Sequence, residues 1–168
     1  MRKFFVNLLL IPLLILSGCS KDKSDVPPVK PTDLISETEA EFALGGTDLS
    51  LEFNGVVDLG DNTYKITYLP TPLGSDDPVI VKVIYPSDDL NEGDIKSLYN
   101  QAYSSRVNKR KIEGIGESAY VAFPSLNIFD RGHFITITAG SGDTQKQLDL
   151  LLNLGKTAVN NLDKYLSE

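Results

Sequence analysis

An α+β domain built on an antiparallel sheet is the fold the sequence predicts, and three observations predict it. Runs of β-branched and aromatic residues alternate with polar ones at period two. Short segments rich in Gly, Asp and Asn join several of these runs. Two longer amphipathic stretches open on capping residues. Strands joined by tight turns pair antiparallel, and helices of this length must then bury an apolar stripe against the sheet. The expectation is a single domain over residues 32–168 with the two longer helices packed on one face.

The elements follow in chain order. Ser36-Glu37-Thr38-Glu39 is a capping box, so a short helix is expected from there to about Leu44, where Gly45-Gly46 ends it. Strands are expected over 50–58 and 64–69, joined by a turn at Gly60-Asp61-Asn62, and over the β-branched run 79–85. Asp89-Leu90-Asn91-Glu92 offers a second capping box. Ile95, Leu98, Tyr99 and Ala102 then fall at i, i+3, i+4 and i+7, the spacing of one helical face, so a helix is expected over 90–105. Further strands are expected over 119–123, 126–129 and 133–139, the last two joined by a three-residue turn at Asp130-Arg131-Gly132. A closing helix is expected over 144–166, with Leu148, Leu151, Leu152, Val159, Leu162 and Leu166 as its buried stripe.

An offset of 54 residues aligns Gly60 with Gly114, Pro70 with Pro124, Asp89 with Asp143 and Leu98 with Leu152, and brings the run 79–85 onto 133–139. A strand ending in Pro, a β-branched strand and an amphipathic helix recur in that order, so an internal duplication is one expectation. On the paired runs, Val79, Val81 and Val83 match His133, Ile135 and Ile137 on one side. Lys82, Thr136 and Thr138 point to the other, where Lys65 and Thr67 add a polar stripe from the neighbouring strand.

The N-terminus carries an address. Met1-Arg2-Lys3 is a positive head, residues 4–16 are apolar apart from Asn7, with Pro12 inside the run, and Leu16-Ser17-Gly18-Cys19 follows at once. The run is shorter than the ~20 residues a membrane span needs, so it reads as a secretory signal peptide over 1–18. The last four residues resemble the lipobox of bacterial lipoproteins. That resemblance implies cleavage before Cys19, diacylglycerol on its sulfur and acylation of the new amino end, hence membrane attachment through Cys19. Residues 20–31, SKDKSDVPPVKP, are expected to form a tether at about 3 Å per residue, reaching roughly 35 Å. The expected location is the cell envelope, on the outer side of the cytoplasmic membrane or on the outer membrane.

The domain also resembles small bacterial lipoproteins of unknown function. The resemblance rests on Asp33-Leu34-Ile35-Ser36, on Leu44-Gly45 and on Gly114-Ile115-Gly116-Glu117-Ser118-Ala119-Tyr120. It implies an α+β fold and an envelope address and brings no mechanism with it.

Composition and motifs exclude several chemistries. The chain has 168 residues, 41% of them hydrophobic, and a formal charge of -7, which loss of Arg2 and Lys3 with the signal peptide would deepen. That balance argues against nucleic acid as a partner. One Cys leaves no internal disulfide and no Cys-clustered metal site. The one His, His133, stands at a strand start as an expected rim residue, and no Ser sits in a nucleophile elbow, so no catalytic residue is assigned. Residues 87–94 are rich in oxygen ligands but lack EF-hand spacing, and Gly114-Ile115-Gly116 lacks the third Gly of a nucleotide loop, so neither a metal nor a cofactor is expected.

What remains is the polar sheet face of Lys65, Thr67, Lys82, Thr136 and Thr138, suited to an anionic or sugar-like ligand. The expected function is a non-enzymatic envelope domain binding a small molecule or a protein partner. The alternatives are an envelope enzyme using acidic residues in an unrecognised pocket, and a structural spacer.

Overall fold

The computed structural model describes residues 28–46, 48–51, 55–71 and 77–168. The expected signal peptide, Cys19 and the tether up to residue 27 lie outside the described residues. Two short helices come first, α1 (Pro31–Leu34) and α2 (Glu37–Ala43), then strands β1 (Leu49–Leu51), β2 (Val57–Asp58), β3 (Thr63–Pro70) and β4 (Val79–Ile84). Helix α3 (Glu92–Ser105), strands β5 (Arg110–Ile112), β6 (Ser118–Ala122), β7 (Ser125–Asp130) and β8 (His133–Ala139), and helix α4 (Gln145–Tyr165) complete the order. No helix among the described residues is long and apolar enough to cross a membrane.

Local chemistry starts the helices. Ser36 caps α2 as expected: its hydroxyl accepts from the Glu39 amide at 3.3 Å, and the Glu39 carboxylate accepts from the Ser36 amide at 2.8 Å. Thr144 caps α4 by accepting from the Gln147 amide at 3.2 Å. The box before α3 is displaced from the expected one. Asn91 and Asp94 form it, because residues 87–90 close on themselves, with the Ser87 amide donating to the Leu90 carbonyl and the Asp89 amide to the Ser87 hydroxyl.

The sheet is antiparallel throughout, in the order β1-β3-β4-β8-β7-β6-β5, with β2 also pairing β3. The expected strand over 50–58 is therefore two partners of β3, β1 and β2, and β5 at the far edge was not expected. Asp130 pairs directly with His133, which makes the β7–β8 connection a two-residue turn of Arg131 and Gly132, both at positive φ, instead of a three-residue one.

The α+β class and the single antiparallel sheet are as expected, but the placement of the helices corrects the sequence reading. Val79, Val81 and Val83 of β4, Ile135 and Ile137 of β8, and Leu126 and Ile128 of β7 pack with Leu148, Leu151, Leu154, Ala158 and Leu162 of α4. Helix α3 lies on the other face, where Ile95 and Tyr99 meet Ile84, Tyr120, Phe129 and Phe134. The reason is that one end of that second face is aromatic, and its three large rings, Tyr120, Phe129 and Phe134, cannot be left in water at ~25 cal/mol per Å² of apolar surface. Tyr99 stands at their centre, 5.5–5.9 Å from the rings of Tyr120, Phe129 and Phe134.

Close approach of α4 depends on Gly155: a Cβ there would stand 2.4 Å from the Leu126 Cδ2 atom. Leu98 and Leu166, expected in the buried stripes, are exposed, and Leu154, Gly155 and Ala158 take the place beside α4's buried leucines. The domain also begins earlier than Thr32. Val29, 2% exposed, belongs to the α4-side core and buried Pro31 opens α1, so these two residues of the stretch read as tether are packed.

Residues 54 apart on β4 and β8 face the same side, whereas the helices that follow them lie on opposite sides. A repeated unit would carry its helix with its strand, so the arrangement does not repeat.

Candidate functional site

The five residues singled out in the sequence come together on the α3-side face of the sheet. Strand pairing sets Lys65 opposite Lys82, Lys82 opposite Thr136, and Thr136 opposite Asn127, one polar row across four strands. A second row runs Thr67, Ile80, Thr138, Ser125. Asn127 and Ser125 are additions that the sequence reading missed. Their signal was present in the alternation of β7, where Leu126 and Ile128 face α4 and residues 125, 127 and 129 face away.

The hydroxyls differ in what they have left to offer. Thr136 donates to the Asn127 side-chain carbonyl at 3.2 Å, and Ser125 and Thr138 share a hydrogen bond of 2.7 Å. Thr67 Oγ1 is buried with no hydrogen-bond partner. Lys65 and Lys82 are half-buried. Like charges directly opposite on neighbouring strands oppose pairing, so two lysines here concentrate positive charge on an otherwise acidic chain.

Acidic groups gather at the β7–β8 turn instead. The Glu117 amide donates to Asp130 at 3.1 Å, the Arg131 amide donates to Glu117 at 3.1 Å, and Arg131 pairs with Asp163 of α4 at 2.9 Å. Burial pushes the Asp130 carboxyl above its usual range, with the Asp163 charge adding to this, and Asp130 Oδ2 is buried without a partner. His133, expected at the rim, is buried, because the two-residue turn tucks it against its own hairpin: its Nδ1 lies 2.8 Å from the Arg131 carbonyl. Burial holds its imidazole below its ordinary pKa. Glu117 is the acidic residue of the Gly-Ile-Gly-Glu stretch, and its role here is to tie that stretch to the turn. Among the described residues no three His, Cys, Asp or Glu side chains gather to hold a metal ion.

Among the described residues, cavities lie elsewhere, along α2 and α4. One of about 380 Å³ touches Leu44, Lys146 and Asp149, and one of about 660 Å³ touches Phe42, Asn153 and Lys156. A third, of about 310 Å³, touches Asp33, Asn161 and Tyr165. None of the three takes in any of the five face residues or Asp130. Comparison with protein-family models, with curated proteins and with solved structures finds no match for this chain.

Proposed function

We propose that this chain is a non-enzymatic, lipid-anchored protein of the bacterial cell envelope whose polar sheet face binds an anionic or sugar-like ligand. The observation that carries the ligand reading is the placement of Lys65 directly opposite Lys82, with the unpartnered Thr67 hydroxyl and Thr136 on the same face. Two cations and hydroxyl groups on a rigid sheet suit carboxylate, phosphate or sugar hydroxyl groups. The anchor reading rests on the Leu16-Ser17-Gly18-Cys19 stretch behind its apolar run.

The test is thermal unfolding of the full chain in mild detergent against neutral, phosphorylated and sulfated sugars and peptidoglycan fragments. A ligand at 100 times its Kd stabilises by about 2.7 kcal/mol, a shift of several degrees in a domain of this size. The shift is expected to vanish in the Lys65→Gln/Lys82→Gln double variant while its unliganded melting stays put. A shift that survives in the double variant would remove the sheet face from the reading.

A second reading, an acid-using enzyme, is favoured by Asp130, a buried carboxyl with its pKa raised beside two other carboxylates. Its test is Asp130→Asn: turnover of any substrate found should collapse with folding retained. Unchanged turnover would confine Asp130 to holding the hairpin.

A further inference from the structure

Net charge conceals an uneven distribution. Between Asp94 and Glu113 the chain has five of its 16 Lys and Arg residues, Lys96, Arg106, Lys109, Arg110 and Lys111, and none of its 23 Asp and Glu. Four of these fall on the loop from α3 to β5 and on β5 itself, at the edge of the sheet. Arg106, Arg110 and Lys111 are exposed. Lys109 donates to the Tyr103 carbonyl at 2.7 Å and lies 4.2 Å from the centre of its ring, which pins the loop to the end of α3.

Large apolar side chains share this corner. Val107, at the tip of the loop, is 84% exposed, and Tyr103 is 36% exposed. Pairing of Arg110 with Val121 brings the end of β6 alongside, with Phe123 just beyond it and 37% exposed. Cations on an edge strand also discourage strand addition, which accounts for Arg110 and Lys111. It does not account for Arg106 in the loop, nor for exposed Val107 and Phe123 beside it.

We propose that this corner docks on an anionic lipid bilayer, with Arg106, Arg110 and Lys111 at the headgroup phosphates and Val107 and Phe123 entering the interface. Cations framing an apolar tip suit that surface better than a soluble polyanion, which offers charge but no apolar layer. The overall charge of -7 does not prevent this, because exposed charges more than ~8 Å from the headgroups are screened at physiological ionic strength. The inference extends the lipid-anchor reading. Helix α1, near the start of the described residues, packs beside β3 and β4, far from β5 in the sheet order, so the lipid and the corner would be two attachment points that together set how the domain stands on the membrane.

The chain has no Trp, so Val107→Trp supplies a single fluorescent reporter at the tip. The full chain carrying it is mixed with phosphatidylcholine vesicles, with or without phosphatidylglycerol, at low and high salt. The expected result is a blue shift and protection from an aqueous quencher only where phosphatidylglycerol is present, reversed by salt. Adding Arg106→Glu, Arg110→Glu and Lys111→Glu is expected to lower the protected fraction roughly tenfold or more. A reporter that stays water-exposed on phosphatidylglycerol vesicles, or a signal indifferent to the three Glu substitutions, would overturn the proposal. So would salt-sensitive binding to heparin with no protection on vesicles, which makes the corner a polyanion site. Flotation with pure phosphatidylcholine vesicles reads the Cys19 anchor separately: a chain that fails to float there refutes the anchor, while the reporter still decides the corner.

Discussion

The two faces of the sheet are made from alternate residues of the same strands and are used in opposite ways. On the α4 side, Val79, Val81, Val83, Ile135 and Ile137 continue without a polar interruption into the leucines of α4, with α1 and α2 sealing the flank. On the α3 side the apolar surface stops halfway: Tyr120, Phe129 and Phe134 lie under α3, and beyond them the rows pass to Asn127, Thr136, Lys82 and Lys65. The difference separates a face given over to stability from one that the proposed function uses for recognition. A continuous apolar face can supply most of the folding free energy, which lets the other face keep groups that pack poorly and can meet a ligand.

The sharpest way to break this comparison is a core truncation on the α4 side. Leu151→Ala removes a fully buried side chain from the centre of the helix–sheet contact and is expected to destabilise by about 2–5 kcal/mol. Denaturant unfolding should show a lower midpoint with an unchanged slope. On the α3 side, Tyr99→Phe keeps the ring at the centre of its cluster and removes only the hydroxyl, which lies 3.0 Å from that of Ser118. The same measurement should give a loss of about 1 kcal/mol.

A pH titration separates the layers further. Burial works to raise the Glu39 carboxyl, but hydrogen bonds from Asn161 and Ser36 outweigh it and hold the group below its ordinary 4.5. A depressed folded value means that its stabilisation is present above pH 4.5 and is lost as the pH falls through the folded value. Glu39→Gln is therefore expected to lower the melting temperature near neutrality and to flatten its decline in acid. An acid limb as steep as that of the unsubstituted chain would show that Glu39 does not link α2 to α4 in this way. The smallest effect belongs to the polar rows. Lys82→Gln relieves a like-charge pair on a half-open face and should change unfolding free energy by no more than about 0.5 kcal/mol, in the stabilising direction. A loss of several kcal/mol would show that the polar rows hold the fold together.

How much was legible follows the range of the forces. The Ser36–Glu39 box, the turn with Asp61 and Asn62 at positive φ and the period-two strands were readable because each is decided within a few residues. The five face residues were readable for the same reason: strand alternation alone puts them on one side. Asn127 and Ser125 escaped although they alternate with Leu126 and Ile128, because only pairing with β8 shows that their side of β7 continues the rows of Thr136 and Thr138. The box before α3 was misplaced because two overlapping frames, Asp89–Glu92 and Asn91–Asp94, satisfy the same local rule, and the turn over residues 87–90 chooses between them.

The sequence by itself determined what local geometry and composition can decide: the α+β class, most of the elements, the Ser36–Glu39 cap, the facing of strand residues and the acidic balance. Only the tertiary structure decided which helix covers which face, that β5 closes the far edge, that Val29 is already core, and that His133 and Asp130 are buried at a turn. Those outcomes depend on contacts between residues remote in the chain. An amphipathic helix specifies that one stripe must be covered, whereas the surface that covers it is set by which alternative buries the aromatic end of the sheet and still brings α4 within reach of Gly155.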